Sequence, residues 1–281
     1  MRDESRAIRP PQVRPHQVET SFIEIDGSRR YCTLWRPTTG NPIEVLVLAP
    51  PFGDEMNKSR RTLSSAARTF AARGTAVLCM DLFGCGDSEG DFREATWSRW
   101  CDDLRIAAHR ARDLMNVPVA LWAVRAGALF APDLQEHFDR TILWQPVIQG
   151  ESYVTQVLRI KVAADGFLGL STTTKSLRLQ LEQGDSLEIG GYEWRPDLLL
   201  AMARRSLNHW TPPGGEVLWL ETGAETSGSC TPAASQIAQR LREGGLEVRT
   251  EWIRGEPFWM TLDIAENRAL ADRTAAALRQ D

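Results

Sequence analysis

Short apolar segments alternate with helical patterns along most of this chain. The run from Ile43 to Ala49, within "IEVLVLAPPF", is nearly continuously apolar, and "TAVLCMDL", "PVALWAV" and "TILWQPV" share this character. Such runs are typical of strands that are buried on both faces, as in a parallel sheet. The segments between them place apolar residues on one helical face, for example Leu63, Ala66, Ala67, Phe70 and Ala71. The alternation predicts an α/β fold, with a mostly parallel sheet flanked by helices and joined by right-handed crossovers.

Departures from this alternation divide the chain. Residues 1–17 read as a loose arm rich in Arg and Pro, and the Asp-Gly pair at Asp26 then predicts an antiparallel hairpin. From residue 150 to 213 the alternation stops, and helical segments surround a second hairpin signal at Gly190 and Gly191. It resumes with "EVLWLETG" and ends in a helix from about Asp263 to Arg279. We therefore expect a core of residues 18–149 and 214–281, interrupted after the sixth strand by a cap insertion of residues 150–213.

Composition excludes several classes of protein. The formal net charge of −4 gives no broad electrostatic case for nucleic acid. No run of about 18 apolar residues occurs, so no membrane span is expected, and the polar start "MRDESRAIRPPQVRP" does not resemble a secretory signal. The five scattered cysteines favour reduced thiols and a cytoplasmic location. No metal-ligand spacing is present, so we expect no metal and no cofactor, while a homodimer remains open.

Two segments have the outline of hydrolase motifs. "DLFGCGDSEG", Asp81 to Gly90, resembles the D-x-x-G-x-G-x-S-x-G loop that follows a strand in serine hydrolases. "LWAVRAGALFA" has the strand, sharp bend and helix start of a G-x-S-x-G nucleophile elbow, but Arg125 stands where the serine would be. Together with the order of elements, these segments resemble the α/β-hydrolase superfamily, and the resemblance covers nearly the whole chain after Val18.

A narrower resemblance rests on four segments: "PPFGDEMNKSRR", "LWAVRAGAL", "LWQPVIQGESY" and "GEPFW". Together they resemble the second of the two hydrolase-like families associated with the exosortase A system. That system sorts PEP-CTERM proteins and serves exopolysaccharide production in bacteria. The resemblance implies an intracellular hydrolase that acts on an ester, thioester or amide. A small acyl or anionic ligand is the partner that we expect for such a site.

The residues themselves leave the catalytic triad incomplete. Arg125 keeps its proton and has no lone pair with which to attack a substrate. A base is expected after the last strand, but "IRGEPFW" contains no His there, and the four histidines lie earlier, at His16, His109, His137 and His209. The acid position, in "LETGAET", offers Glu221 and Glu225, which are a remnant acid or solvated charges. The sequence therefore supports a second interpretation: a pseudoenzyme that binds an anion or acts as a scaffold.

Several roles stay open for the charged residues near the elbow. Arg125 is either a structural residue paired with a carboxylate, for which Glu55 is the candidate, or an anion receptor beside Ala126 at a helix N-terminus. Glu55 is also a candidate base if its pKa is raised. The loop residues Phe52, Glu55, Asn57 and Lys58 either line a ligand pocket or begin a helix capped by Asn57. The rival nucleophiles Cys85 and Ser88 are more simply explained as turn residues of the Gly-rich loop.

Overall fold

The predicted mostly parallel sheet is confirmed in a computed structural model that describes residues 16–224, 228–261 and 266–279. Its main sheet has eight strands in the order β1-β2-β4-β3-β5-β6-β9-β10. Strands β4, β3, β5, β6, β9 and β10 are parallel to one another, whereas β2 is antiparallel to both of its neighbours, β1 and β4. The strands are β1 (His16–Ile25), β2 (Ser28–Pro37), β3 (Val45–Ala49), β4 (Ala76–Met80), β5 (Val119–Val124), β6 (Arg140–Trp144), β9 (Glu216–Gly223) and β10 (Glu247–Arg254).

Helices cover both faces of this sheet. α1 (Asp54–Ala72) and α8 (Arg268–Ala277) pack on one face, and α2 (Trp97–Met115) and α7 (Pro232–Glu243) pack on the other. α3 (Ala131–Leu134) is a single turn after the elbow. None of the described helices is long and apolar enough to cross a membrane.

The insertion between β6 and β9 has the predicted position and the predicted hairpin. It contains α4 (Gly150–Phe167), α5 (Thr174–Gln183), α6 (Pro196–Ala203) and the short strands β7 (Leu187–Ile189) and β8 (Tyr192–Trp194). Gly190 and Gly191 form the turn of this hairpin with φ angles of 61° and 81°, which glycine adopts without steric penalty. We call residues 150–213 the cap.

Element boundaries differ from the predictions in three places. β1 begins at His16, inside the predicted arm, because His16 and Gln17 pair with the end of β2. α1 begins at Asp54 after Gly53, whose φ of 56° suits glycine, so Asn57 lies within the helix and is not its N-cap. The third difference follows the elbow, where residues 125–130 form a 3-10 helix instead of the start of an α-helix. The predicted start of the last helix, near Asp263, lies outside the described residues.

A buried ion pair joins the antiparallel edge of the sheet to α2. Arg30 and Asp103 are both fully buried, and Arg30 Nε donates to Asp103 Oδ1 at 2.8 Å. The other carboxylate oxygen of Asp103 accepts a hydrogen bond from the Phe83 backbone N–H at 2.7 Å. The pair therefore holds β2, α2 and the beginning of the Gly-rich loop in one arrangement.

Candidate functional site at the elbow

The elbow after β5 has the tight turn that the sequence predicts. Arg125 has a φ of 54°, a left-handed conformation that is uncommon for residues other than glycine. A Cβ on Gly127 would lie 2.2 Å from the carbonyl oxygen of Ala49, so only glycine fits between the elbow and β3. Arg125 is therefore held in a strained position of the kind that functional residues often occupy.

One of the two alternatives for Arg125 was an anion receptor beside Ala126 at a helix N-terminus. Residues 125–130 form a 3-10 helix, and α3 adds only four residues after it. Ala126 is fully buried. An anion-binding helix N-terminus combines free backbone N–H groups with the dipole of an α-helix. Here a 3-10 segment precedes an α-helix of four residues, which gives this alternative little support.

Arg125 is instead paired within the protein. Its Nη2 donates to Glu55 Oε1 at 3.1 Å, its Nε donates to Glu55 Oε2 at 3.3 Å, and its Nη1 donates to the backbone oxygen of Gln145 at 3.2 Å. Its guanidinium carbon lies 4.6 Å from the centre of the Trp259 ring, within range of a cation–π interaction. The side chain of Arg125 is 12% exposed and that of Glu55 is 21% exposed, so the pair is largely removed from water.

Glu55 has a perturbed carboxyl group. Burial raises its pKa above the ordinary value, while the charge and hydrogen bonds of Arg125 act in the opposite direction. A raised pKa is expected of a catalytic base, but both carboxylate oxygens already accept hydrogen bonds from Arg125. In this arrangement the Glu55 carboxylate balances the charge of the Arg125 guanidinium.

Tyr153 brings the cap down onto this pair. It lies in α4, is buried, and packs edge-on against Phe52 with ring centres 6.4 Å apart. Burial raises the pKa of its phenol well above the ordinary value, and the nearby charge of Glu55 adds to the effect. Tyr153 is thus a neutral, packed part of the site.

The other predicted ligand-binding residues are not brought together around Arg125. Phe52 is buried and stacks on Trp100 with ring centres 4.9 Å apart, so it belongs to the aromatic core. Asn57 Nδ2 donates to the Tyr192 hydroxyl of the cap hairpin at 2.8 Å. Lys58 pairs with Asp54 at 2.7 Å, one turn away along α1. A small cavity borders Phe52 and Asn57, but neither Arg125 nor Glu55 lines it.

The positions of the missing base and acid have structural roles. Phe258 is fully buried after β10, and Trp259 next to it covers Arg125. The side chain of Glu221 is buried. Its Oε1 accepts a hydrogen bond from the Thr231 hydroxyl at 3.0 Å, and its other carboxylate oxygen accepts one from the Thr231 N–H. Because Thr231 caps α7, Glu221 holds the start of that helix. Its burial agrees with a remnant acid, the first of the two alternatives, and not with a solvated charge, the second. Glu225 lies outside the described residues.

The two rival nucleophiles are turn residues of the Gly-rich loop. Burial raises the pKa of the Cys85 thiol to about 12, so almost no thiolate forms near neutral pH. The Ser88 hydroxyl accepts a hydrogen bond from the Tyr31 N–H at 2.9 Å and donates one to the Asp81 carbonyl. Both side chains are therefore engaged in the packing of the loop.

Three residues of the site were not identified from the sequence: Gln145, Tyr153 and Trp259. Gln145 has a φ of 42° and supplies its backbone oxygen to Arg125, while its side-chain oxygen accepts a hydrogen bond from the Thr222 N–H at 2.7 Å. All three lie in the segments "LWQPVIQGESY" and "GEPFW", which carry the family resemblance. That resemblance was the sequence signal that could have identified them.

Comparison with known sequences gives a partial match. Residues 26–106 match the profile of the X-Pro dipeptidyl-peptidase (S15) family. This segment is well under half of the chain and ends before the elbow, so it carries no information about Arg125. No curated protein matches the chain significantly by sequence.

Solved structures resemble the chain over nearly its whole length. Est1E from Butyrivibrio proteoclasticus, solved with ferulic acid bound, has a TM-score of 0.65 at 14% identity, covering 92% of this chain and 97% of that chain. Monoglyceride lipase from Saccharomyces cerevisiae, in complex with a substrate analog, has a TM-score of 0.63 at 11% identity, covering 96% and 98%. A hypothetical protein from Pseudomonas aeruginosa has a TM-score of 0.57 at 14% identity, covering 95% and 93%.

These similarities define the class of fold. The strand order, the cap between β6 and β9, and the similarity to these structures show that the chain has the α/β-hydrolase fold. At such low identity the similarity extends to the fold alone, so function has to be argued from the elbow itself.

Proposed function

We propose that this protein is a non-hydrolytic binding or scaffold protein built on the α/β-hydrolase fold. The observation that carries the proposal is the ion pair of Arg125 and Glu55 at the position of the nucleophile. Catalysis by a serine hydrolase requires a serine hydroxyl that attacks the substrate and a neighbouring base that takes the proton of this hydroxyl. A guanidinium offers neither a lone pair nor a proton that it releases at physiological pH.

The absence of a base supports the same conclusion. Residues 255–258 stand after β10 where a histidine would be expected, and none of them is a histidine. Trp259, which follows them, covers the face of Arg125. The fold by itself favours the other interpretation, a hydrolase that acts on an ester, thioester or amide. The chemistry of a fold lies in its site, however, and this site has lost two of its three reacting groups.

The paired state of Arg125 also favours a scaffold over an anion receptor. The Nε and Nη2 donors that would bind a carboxylate or phosphate in a fork are directed at Glu55. An external anion would therefore have to displace a carboxylate that is already desolvated and hydrogen-bonded. The pair instead ties together α1, the elbow and the end of β6.

For the biological setting we propose the exosortase-associated system of PEP-CTERM sorting and exopolysaccharide production, in the cytoplasm. Support comes from the four sequence segments that resemble this family. Two of them, "LWAVRAGAL" and "GEPFW", contain Arg125 and Trp259. The residues that distinguish this elbow from a hydrolytic one are thus the residues that carry the resemblance.

The catalytic part of the proposal is tested with p-nitrophenyl acetate and p-nitrophenyl butyrate. We expect the wild-type protein to turn these esters over no faster than the Glu55→Ala variant, in which the Arg125–Glu55 ion pair is broken. We also expect no labelling of the wild type by a serine-directed fluorophosphonate. Turnover near about 10 s⁻¹, a typical enzymatic value, that the fluorophosphonate abolishes would show that the protein is a hydrolase with a nucleophile elsewhere.

The biological part is tested in a bacterium that carries this gene together with an exosortase gene. Deleting the gene is expected to reduce exopolysaccharide output, measured as secreted hexose. The wild-type chain and the Cys85→Ala variant are expected to restore it equally, because the Cys85 thiol has no catalytic role. Unchanged output after deletion would contradict the assignment to this system.

A further inference from the structure

The second half of α4 exposes an apolar stripe that no described part of the protein covers. Ile160, Ala163, Ala164 and Phe167 follow the i, i+3, i+4, i+7 spacing of one helical face, and all are exposed. Phe167 is 93% exposed, and the following Leu168 is 75% exposed. Leu170 is also exposed, so the stripe continues past the end of the helix. We call Ile160, Ala163, Ala164, Phe167, Leu168 and Leu170 the α4 patch.

The two halves of α4 differ in how far their apolar side chains are buried. In the first half of α4, Tyr153, Val154, Val157 and Leu158 are buried against the core. The same helix therefore anchors the cap at one end and presents apolar side chains to solvent at the other. Contiguous exposed apolar surface of this kind marks a site of protein or membrane contact.

The charges around the patch identify the kind of contact. Between residues 152 and 181 the chain has four basic side chains and one acidic side chain, although its overall net charge is −4. The acid, Asp165, is paired with Lys161 at 3.0 Å, and Arg178 is paired with Glu151 and Glu182. Arg159 and Lys175 are exposed and form no ion pair with any residue that the structure describes. An apolar stripe with unpaired cations beside it is suited to an anionic lipid surface.

We propose that the α4 patch docks the cap onto an anionic lipid bilayer. Phe167 and Leu168 enter the boundary between headgroups and acyl chains, while Arg159 and Lys175 lie among the anionic headgroups. Two other occupants fit less well. A second copy meeting the same patch across a two-fold axis would bring like charges together, and the N-terminal segment of this chain is itself rich in arginine.

The proposal is tested by sedimentation with vesicles. The full chain is mixed with vesicles of phosphatidylcholine alone, or of phosphatidylcholine and phosphatidylglycerol in equal parts. We expect binding to the anionic vesicles only, weakened by added salt because salt screens the attraction. The Phe167→Ser/Leu168→Ser variant is expected to bind at least about tenfold more weakly, since it removes the two most exposed apolar side chains. Arg159→Gln/Lys175→Gln is expected to reduce binding to a similar extent.

A control is available away from the cap, near the amino ends of β3 and β5. Leu114 in α2 and Ile43 before β3 are also exposed, at 57% and 51%, and Leu114→Ser/Ile43→Ser is expected to bind as the wild type does. Equal melting temperatures of all variants would establish that each is folded. Three results would overturn the proposal: no binding of the wild type to either vesicle, equal binding to both vesicles, or wild-type binding by Phe167→Ser/Leu168→Ser. Light scattering that showed a dimer dissociated by the same variant would assign the patch to a second copy instead.

Discussion

Replacing Glu55 with alanine is expected to lower the free energy of unfolding by about 3 kcal/mol. The variant leaves the guanidinium of Arg125 largely buried, with a backbone oxygen and the Trp259 ring as its remaining partners. Removing one partner of a buried ion pair costs about 3–5 kcal/mol, and the partial exposure of this pair places it at the lower end. Urea denaturation followed by circular dichroism measures the change.

The neighbouring acid provides the control for this experiment. Asp54 lies in the same turn of α1 and pairs with Lys58 at the surface, so Asp54→Ala is expected to cost less than about 1 kcal/mol. The double variant Glu55→Gln/Arg125→Met is expected to be more stable than the sum of the two single changes predicts, because no charge is then left unpaired. An equal effect of Glu55→Ala and Asp54→Ala would contradict a structural role for the pair.

Added phosphate separates this structural role from anion binding. We expect phosphate to raise the melting temperature of Glu55→Ala more than that of the wild type, because only the variant leaves the fork of Arg125 open to an anion. A rise in the wild type that is lost in Arg125→Met would show that Arg125 is an anion receptor.

The second large effect is expected at Asp103. Asp103→Ala leaves Arg30 fully buried without a counter-charge and removes the acceptor for the Phe83 N–H. The expected loss of stability is about 3–5 kcal/mol, again measured by urea denaturation. Asp102→Ala is the matched control, because Asp102 precedes it in α2 and pairs with Arg105 at the surface. That change is expected to cost no more than about 1 kcal/mol.

A failure of Asp103→Ala to fold would leave its effect unmeasured, so a second variant is needed. Arg30→Met/Asp103→Leu replaces both charges with apolar side chains of similar size, and it is expected to fold more stably than Asp103→Ala. The opposite order would mean that packing at position 103, and not the unpaired charge, dominates the effect.

The fold was predictable from the sequence because its signals are local. The apolar runs of β3, β4, β5 and β6 identify buried strands, and the Asp26-Gly27 turn of the first hairpin is confirmed by φ angles of 49° and 71°. The 3-10 helix after Arg125 was not predictable, since the elbow is held by contacts with β3 and with the segment after β6. Tertiary contacts of this kind override local helix propensity.

The site was predictable only in part. Arg125 and Glu55 could be paired from the sequence because the elbow and the loop after β3 meet at the same edge of a parallel sheet. Phe52 lies in the loop after β3 and Lys58 lies in the first turns of α1. The direction of each side chain depends on where α1 begins, and that boundary differed from the prediction. Trp259 and Arg125 are far apart in the chain. The periodicities of helices and strands relate only residues that are close in sequence, so they could not predict this contact.

The Trp259 contact has a consequence for any attempt to convert this protein into an esterase. Arg125→Ser alone would leave the Glu55 carboxylate beside the new hydroxyl without its cation, and it would remove the ring's charged neighbour. Trp259→His alone would remove the indole ring that covers the guanidinium of Arg125, and it would not create a nucleophile. Each single step is expected to lower stability and yield no activity, so the substitutions at positions 55, 125 and 259 depend on one another. An engineer, or natural selection, would have to make them together or in an already stabilised background.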